Sequence, residues 1–145
     1  MSIGGWQPSS RTRQIGLRGI GSAREGEVEA ALAYGAELIS AYELHDIGMD
    51  AVLDRIPKGG PFYLTIDADG IDPTIMPAVM AQTPGGLNWV QTRKLVHGLV
   101  NKGRVVGMDL VEIAPKKDVA SITAIHAERL ICNFIGASIR AGHCS

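Results

Sequence analysis

Two hydrophobic spacings alternate along this chain. Arg13-Gln14-Ile15-Gly16-Leu17-Arg18, Leu38-Ile39-Ser40-Ala41-Tyr42, Phe62-Tyr63-Leu64-Thr65-Ile66 and Val105 to Val111 are short β-branched or aromatic runs. They predict strands near residues 13–18, 38–42, 62–67 and 105–112. Between them the spacing changes to that of a helix. Glu25 to Gly35 is Ala-rich and ends on a glycine placed for a C-cap. Met49, Val52, Leu53 and Ile56 recur on one helical face before Pro57 stops the run. Asn88 to Asn101 puts Thr92, Leu95, Val96 and Leu99 on one face, and Thr123 to Ile135 marks a long last helix. Strand then helix, four times over, predicts an α/β fold with a parallel sheet and right-handed crossovers. Ligands of such sheets gather outside the carboxyl ends of the strands.

Residues 1–12, with Gly4-Gly5, Pro8 and two serines, read as a flexible lead-in to a single domain over 13–145. That length is enough for a real core, and 46% hydrophobic residues argue against disorder. A formal net charge of −1 gives no electrostatic case for nucleic acid or an anionic membrane surface. No apolar run approaches the roughly 20 residues of a membrane span. Cys132 and Cys144 are too few for a disulfide scaffold, so a reducing cytoplasm is expected, with Cys132 as packing in its helix.

The chemistry concentrates where the third strand ends, in Asp67-Ala68-Asp69-Gly70-Ile71-Asp72-Pro73. Alternation along a strand would send Asp67 and Asp69 to the same side. Paired carboxylates repel, and a hard cation with oxygen ligands resolves the repulsion. The same residues also read as a strand-end turn whose acids cap backbone amides, and the residues alone leave both readings open. Glu112 stands where the fourth strand ends at Ala114-Pro115, a place where an acid can hold a cation or meet a helix N-terminus or water. Asp109 lies on the opposite strand face by parity and reads as a structural acid. Gly16-Leu17-Arg18-Gly19-Ile20-Gly21 follows a strand, but its spacing is not the dinucleotide fingerprint, and it reads as a turn that needs glycine. His45, His97, His126 and His143 show no paired ligand spacing and are assigned to solvated faces.

Asp67-Ala68-Asp69-Gly70-Ile71-Asp72-Pro73, followed by Met76-Pro77-Ala78-Val79 and Thr83-Pro84-Gly85-Gly86-Leu87, resembles the second metal-binding signature of the ureohydrolase (arginase/agmatinase) family. Gly107-Met108-Asp109-Leu110-Val111-Glu112-Ile113-Ala114-Pro115 is similar to that family's next strand, and the resemblance runs from Gln14 onward. It is nearest to the agmatinase-like and guanidinobutyrase-like branches. The resemblance implies a three-layer α/β/α arginase-like fold, here a partial one of about four β-α units. It also implies two manganese ions, with Asp67 bridging them, Asp69 ligating one, and Glu112 holding a guanidino substrate that is hydrolysed to urea and an amine. No catalytic residue beyond these is assigned. The expected partners are the small guanidino substrate and further copies of the chain in a homo-oligomer.

The family's remaining ligands come from a Gly-Gly-Asp-His block and an Asp-Ala-His-x-Asp block, and neither occurs here. Asp67 and Asp69 leave most positions around two six-coordinate ions to water. The chain thus reads as the C-terminal half of a ureohydrolase, inactive by itself. The alternative is a catalytically dead remnant that acts by association with a partner chain.

Overall fold

The alternating pattern becomes a five-stranded sheet in a computed structural model, which describes residues 2–4, 12–19 and 23–143. In chain order the elements are β1 (Ser2–Gly4), β2 (Arg13–Leu17), α1 (Glu27–Tyr34), β3 (Glu37–Ser40), α2 (Ala41–Asp54), β4 (Pro61–Asp67), α3 (Trp89–Lys102), β5 (Arg104–Val111) and α4 (Ile122–Arg140). The sheet order is β3-β2-β1-β4-β5. The pairs β2/β3 and β4/β5 are parallel, as the strand-helix alternation predicts.

Two departures concern the ends of elements. The lead-in read over residues 1–12 contributes a strand: Ser2–Gly4 lies between β2 and β4, antiparallel to both. The two parallel pairs would otherwise meet with unpaired backbone N–H and C=O groups along their facing edges, and the start of the chain satisfies some of them. Residues 5–11 lie outside the described residues. The second departure is Tyr42. The strand expected over 38–42 stops at Ser40, whose side chain accepts a hydrogen bond from the Glu43 amide (3.0 Å) and caps α2. Tyr42 is therefore on the first turn of a helix, and Met49 to Asp54 belongs to that helix beyond a break at Gly48 (φ 81°, ψ 161°), with Ile56 just past its end.

Other boundaries follow the local chemistry. Asn88 and Gln91 form a reciprocal capping box at the start of α3. Gly35, at φ 90°, closes α1 in the left-handed conformation. Ile15, Ile39, Leu64 and Ile66 leave the sheet on one side and are fully buried with Leu44 and Val52 of α2, Leu95 and Leu99 of α3, and Leu130 of α4. Burying each such side chain contributes about 1.5–3 kcal/mol. Right-handed crossovers place α1 on the opposite face, because the step from β2 to β3 runs against the step from β4 to β5. That third layer is thin. α1 buries no residue, and Tyr63 and Val106 of the sheet stay exposed. Among the described residues, no helix is long and apolar enough to cross a membrane.

Candidate functional site

The strand that carries the acidic run ends at Asp67, and Ala68–Gly70 turns at once into a single 3-10 turn. Asp67 starts that turn: its Oδ1 accepts the Asp69 amide at 2.9 Å. Strand alternation is thus not what brings the two acids together, since the strand does not reach Asp69. The tight turn brings them into electrostatic contact instead.

Asp69 is the unresolved charge of the site. One carboxylate oxygen, Oδ1, is buried without a hydrogen-bond partner. Burial raises the Asp69 pKa above the ordinary carboxylate value, and the neighbouring Asp67 charge raises it further. A backbone hydrogen bond from Ala81 and the charges of Arg18 and Lys117 pull the other way. An orphaned carboxylate oxygen beside a second carboxylate fits a hard cation. Asp67 and Asp69 are the residues that would hold it. They amount to a share of a site, because no group of three or more potential ligands occurs among the described residues.

Asp72, three positions on, is fully used. Its Oδ1 accepts from the Thr74 amide (3.0 Å) and hydroxyl (2.6 Å), and its Oδ2 from the amides of Gly85 (2.8 Å) and Gly86 (3.2 Å). The Thr74 hydrogen bonds, led by the hydroxyl, hold its pKa below the usual carboxylate range. The capping reading of the acidic run therefore describes Asp72, one oxygen of Asp67 and the Ala81 hydrogen bond to Asp69, and it leaves Asp69 Oδ1 unexplained.

Glu112 follows β5 directly, at φ 62°. Asp67 is in register with Val111, so Glu112 stands one residue beyond Asp67 at the same carboxyl edge of the sheet. It is exposed, and no hydrogen bond or ion pair engages it among the described residues. Asp109 pairs in register with Thr65 and accepts a hydrogen bond from the Tyr63 hydroxyl (3.1 Å), a structural use.

Sequence reasoning missed Arg18. A glycine in the left-handed region, Gly16 (φ 92°), interrupts the register of β2 with β3. Beyond it, Arg18 reaches the acidic turn, donating to the carbonyls of Asp69 (2.7 Å) and Thr83 (2.5 Å). The available signal was a lone arginine at the carboxyl end of a strand next to glycines. Two histidines also differ from expectation, while His45 is exposed as expected. His97 pairs with Asn133 (2.9 Å) between α3 and α4, and the His126 ring lies 5.6 Å from that of Trp89. Cys132, expected inside its helix packing, is exposed.

Comparison with known proteins agrees with this architecture. The model of the arginase family matches residues 3–136. The agmatinase of Chromobacterium violaceum is 38% identical over 104 residues, covering 70% of this chain and 32% of the relative. The N(1)-aminopropylagmatine ureohydrolase of Thermus thermophilus is 33% identical, covering 70% and 34% respectively. Among solved structures, a hypothetical agmatinase from Burkholderia thailandensis superposes with a TM-score of 0.71 at 32% identity, over 86% of this chain and 38% of the other. Proclavaminate amidino hydrolase from Streptomyces clavuligerus gives 0.79 at 27% identity, over 89% and 42%. This chain spans about a third of the length of the curated relatives it matches. With the family model matching nearly end to end, the chain belongs to the arginase family.

Proposed function

We propose that this chain carries the carboxylate-bearing part of a manganese-dependent hydrolase that cleaves a guanidino compound, of the agmatine or guanidinobutyrate type, to urea and an amine. The observation that carries this reading is the partnerless Asp69 oxygen beside Asp67, one strand from the unengaged Glu112. The relatives named agmatinase and aminopropylagmatine ureohydrolase support the substrate class.

Asp67 and Asp69 would supply oxygen ligands. The chemistry that bound manganese supplies is a water of lowered pKa and charge stabilisation at the reacting centre. Glu112 would pair with the substrate's planar, cationic guanidinium through charge-assisted hydrogen bonds and hold its carbon toward the Asp67 side of the edge. The exposed backbone turn at Glu112 leaves that carboxylate free to meet a ligand from solvent.

A second reading, a non-catalytic chain that works by association, is favoured by one observation: no third metal ligand joins Asp67 and Asp69 among the described residues. Urea release separates the two. The chain alone should release none from agmatine, guanidinobutyrate or arginine above a manganese-only blank. Supplemented with the portion of an agmatinase that it does not cover, it should become active. In that complemented enzyme Glu112→Gln should keep its metal and lose about 30-fold or more in kcat/KM, from a cost on the order of 2–5 kcal/mol for an unpaired charge. No activity on complementation would favour the association reading, and wild-type kcat/KM in Glu112→Gln would remove Glu112 from the site.

A further inference from the structure

Arg18 serves neither of the two ordinary uses of an arginine beside acids. It forms no ion pair with a carboxylate among the described residues, although Asp72, Asp69 and Asp67 all lie within its electrostatic reach. It spends its donors on backbone carbonyls. Nη2 donates to Asp69 (2.7 Å) and Thr83 (2.5 Å), with a longer contact to Ile71 (3.5 Å). Nε donates to Thr83 (3.1 Å) and Pro84 (3.3 Å), and Nη1 lies 3.4 Å from the Gly16 carbonyl. Apart from Gly16 in its own strand, the acceptors come from two segments: the acidic turn after β4 and the Thr83–Pro84 stretch that leads into α3. Only a planar fork with five N–H donors can address both at once.

The same two segments are laced together around this fork. The Asp72 amide donates to Leu87 (3.0 Å), the Leu87 amide to Gly70 (3.0 Å), and the Asp72 carboxylate accepts from Gly85 and Gly86. A side chain at Gly86 would lie 2.9 Å from Arg18 Nη2 and 2.6 Å from the Asp72 nitrogen. The clasp is closely packed, and the acids it positions keep oxygens unspent, Asp69 Oδ1 among them.

We propose that Arg18 is the positioning residue of this site: through backbone carbonyls it locks the acidic turn against the Thr83–Leu87 segment, presenting Asp67 and Asp69 to a divalent cation without neutralising either. This rests on the metal reading above for its cation half, and on hydrogen-bond geometry alone for its positioning half. The charge of Arg18 lowers the repulsion between the two acids, while its donors are already committed and so do not compete with the cation for carboxylate oxygens.

The test uses the 145-residue chain and its Arg18→Met, Arg18→Lys and Arg18→Gln variants. Amide hydrogen exchange is read at Asp72 and Leu87, with Leu99 in α3 as the reporter of global opening. Affinity for Mn2+ alone is read by its electron spin resonance signal, in the chain complemented with the portion of an agmatinase that it does not cover. Arg18→Met is expected to speed exchange at Asp72 and Leu87 by about tenfold or more relative to Leu99. It should weaken Mn2+ binding by about 10- to 100-fold, the usual effect of losing a residue that orients a ligand. Arg18→Lys should recover little, because charge without the fork cannot span both segments. Arg18→Gln, whose single amide group cannot reach both segments, should reproduce the pattern should Arg18→Met fail to fold. Unchanged exchange at Asp72 and Leu87, or a matching rise at Leu99, would overturn the positioning role. Faster exchange with unchanged Mn2+ affinity would overturn its link to the cation. No measurable Mn2+ affinity in the complemented wild-type enzyme would overturn the metal reading, leaving the positioning role to stand or fall on exchange.

Discussion

Asp69 and Asp72 differ by three positions and are opposite in condition: one has a stranded oxygen, the other accepts four hydrogen bonds. Asp72→Asn replaces one acceptor oxygen with a donor group and should cost about 1–3 kcal/mol, measured by urea unfolding at neutral pH. The sign of the pH effect follows from the depressed pKa of Asp72 in the fold. Its contribution is fully present above the unfolded value, about 3.9, and is lost as pH falls through the lower folded value. The gap between wild type and Asp72→Asn should therefore be constant from neutral pH to about pH 5 and close only in stronger acid. Glycine 16 gives a second test. Gly16 and Gly35 share a left-handed backbone, at φ 92° and 90°, but an added Cβ at Gly16 would meet Leu87 Cδ1 at 2.4 Å, and at Gly35 nothing within 4 Å. Gly35→Ala should cost about 1–2 kcal/mol, from the backbone alone. Gly16→Ala adds overpacking and should cost about 2–5 kcal/mol, read from the same unfolding curves.

At the scale of elements, the outcome turned on ends. β4 and α3 follow their apolar spacing almost to the residue, while β3 gives way to α2 at Ser40 because a capping hydroxyl there competes with strand extension. β1 could not be read from its own residues, since a three-residue strand carries no periodicity. It exists because β2 and β4 present facing edges. Deleting Ser2–Gly4 removes a common neighbour of both edges, and such edges pair with other chains. The deleted protein should elute from size-exclusion chromatography as larger species, with less monomer than wild type at equal concentration.

The whole molecule is unevenly covered. α2, α3 and α4 pack one face of the sheet, while Tyr63 and Val106 are exposed on the other and α1 buries no residue. α4 carries a second uncovered stripe, Ile131, Ile135 and Ile139, at four-residue spacing along the border of its buried face of Ala127, Leu130 and Ala137. A helix whose apolar face is wider than the face it buries is normally covered over the remainder as well. The expected outcome is self-association of the isolated chain, visible by sedimentation velocity. Ile131→Glu with Ile135→Glu should shift it toward monomer without lowering the thermal midpoint by more than a few degrees, because neither residue is in the core.

Sequence alone determined the elements whose information is local. Periods of two and of 3.6 residues located β2, β4, β5, α3 and α4, and the glycine after α1 ended it where the left-handed cap requires. Sequence also placed Asp67, Asp69 and Glu112 at one edge, because they stand at strand ends and parallel strands bring such ends together. Tertiary structure decided what each acid does there. Asp67 and Asp72 are drawn into backbone caps by amides near in sequence and far from it, and Asp69 is left with an oxygen that no neighbour reaches. It also decided Arg18, whose acceptors lie 51 and 65 positions away and cannot be inferred from its neighbours. Hydrophobic spacing is written residue by residue, whereas the partner of a polar group is chosen by whatever the folded chain brings within 3 Å or so of it.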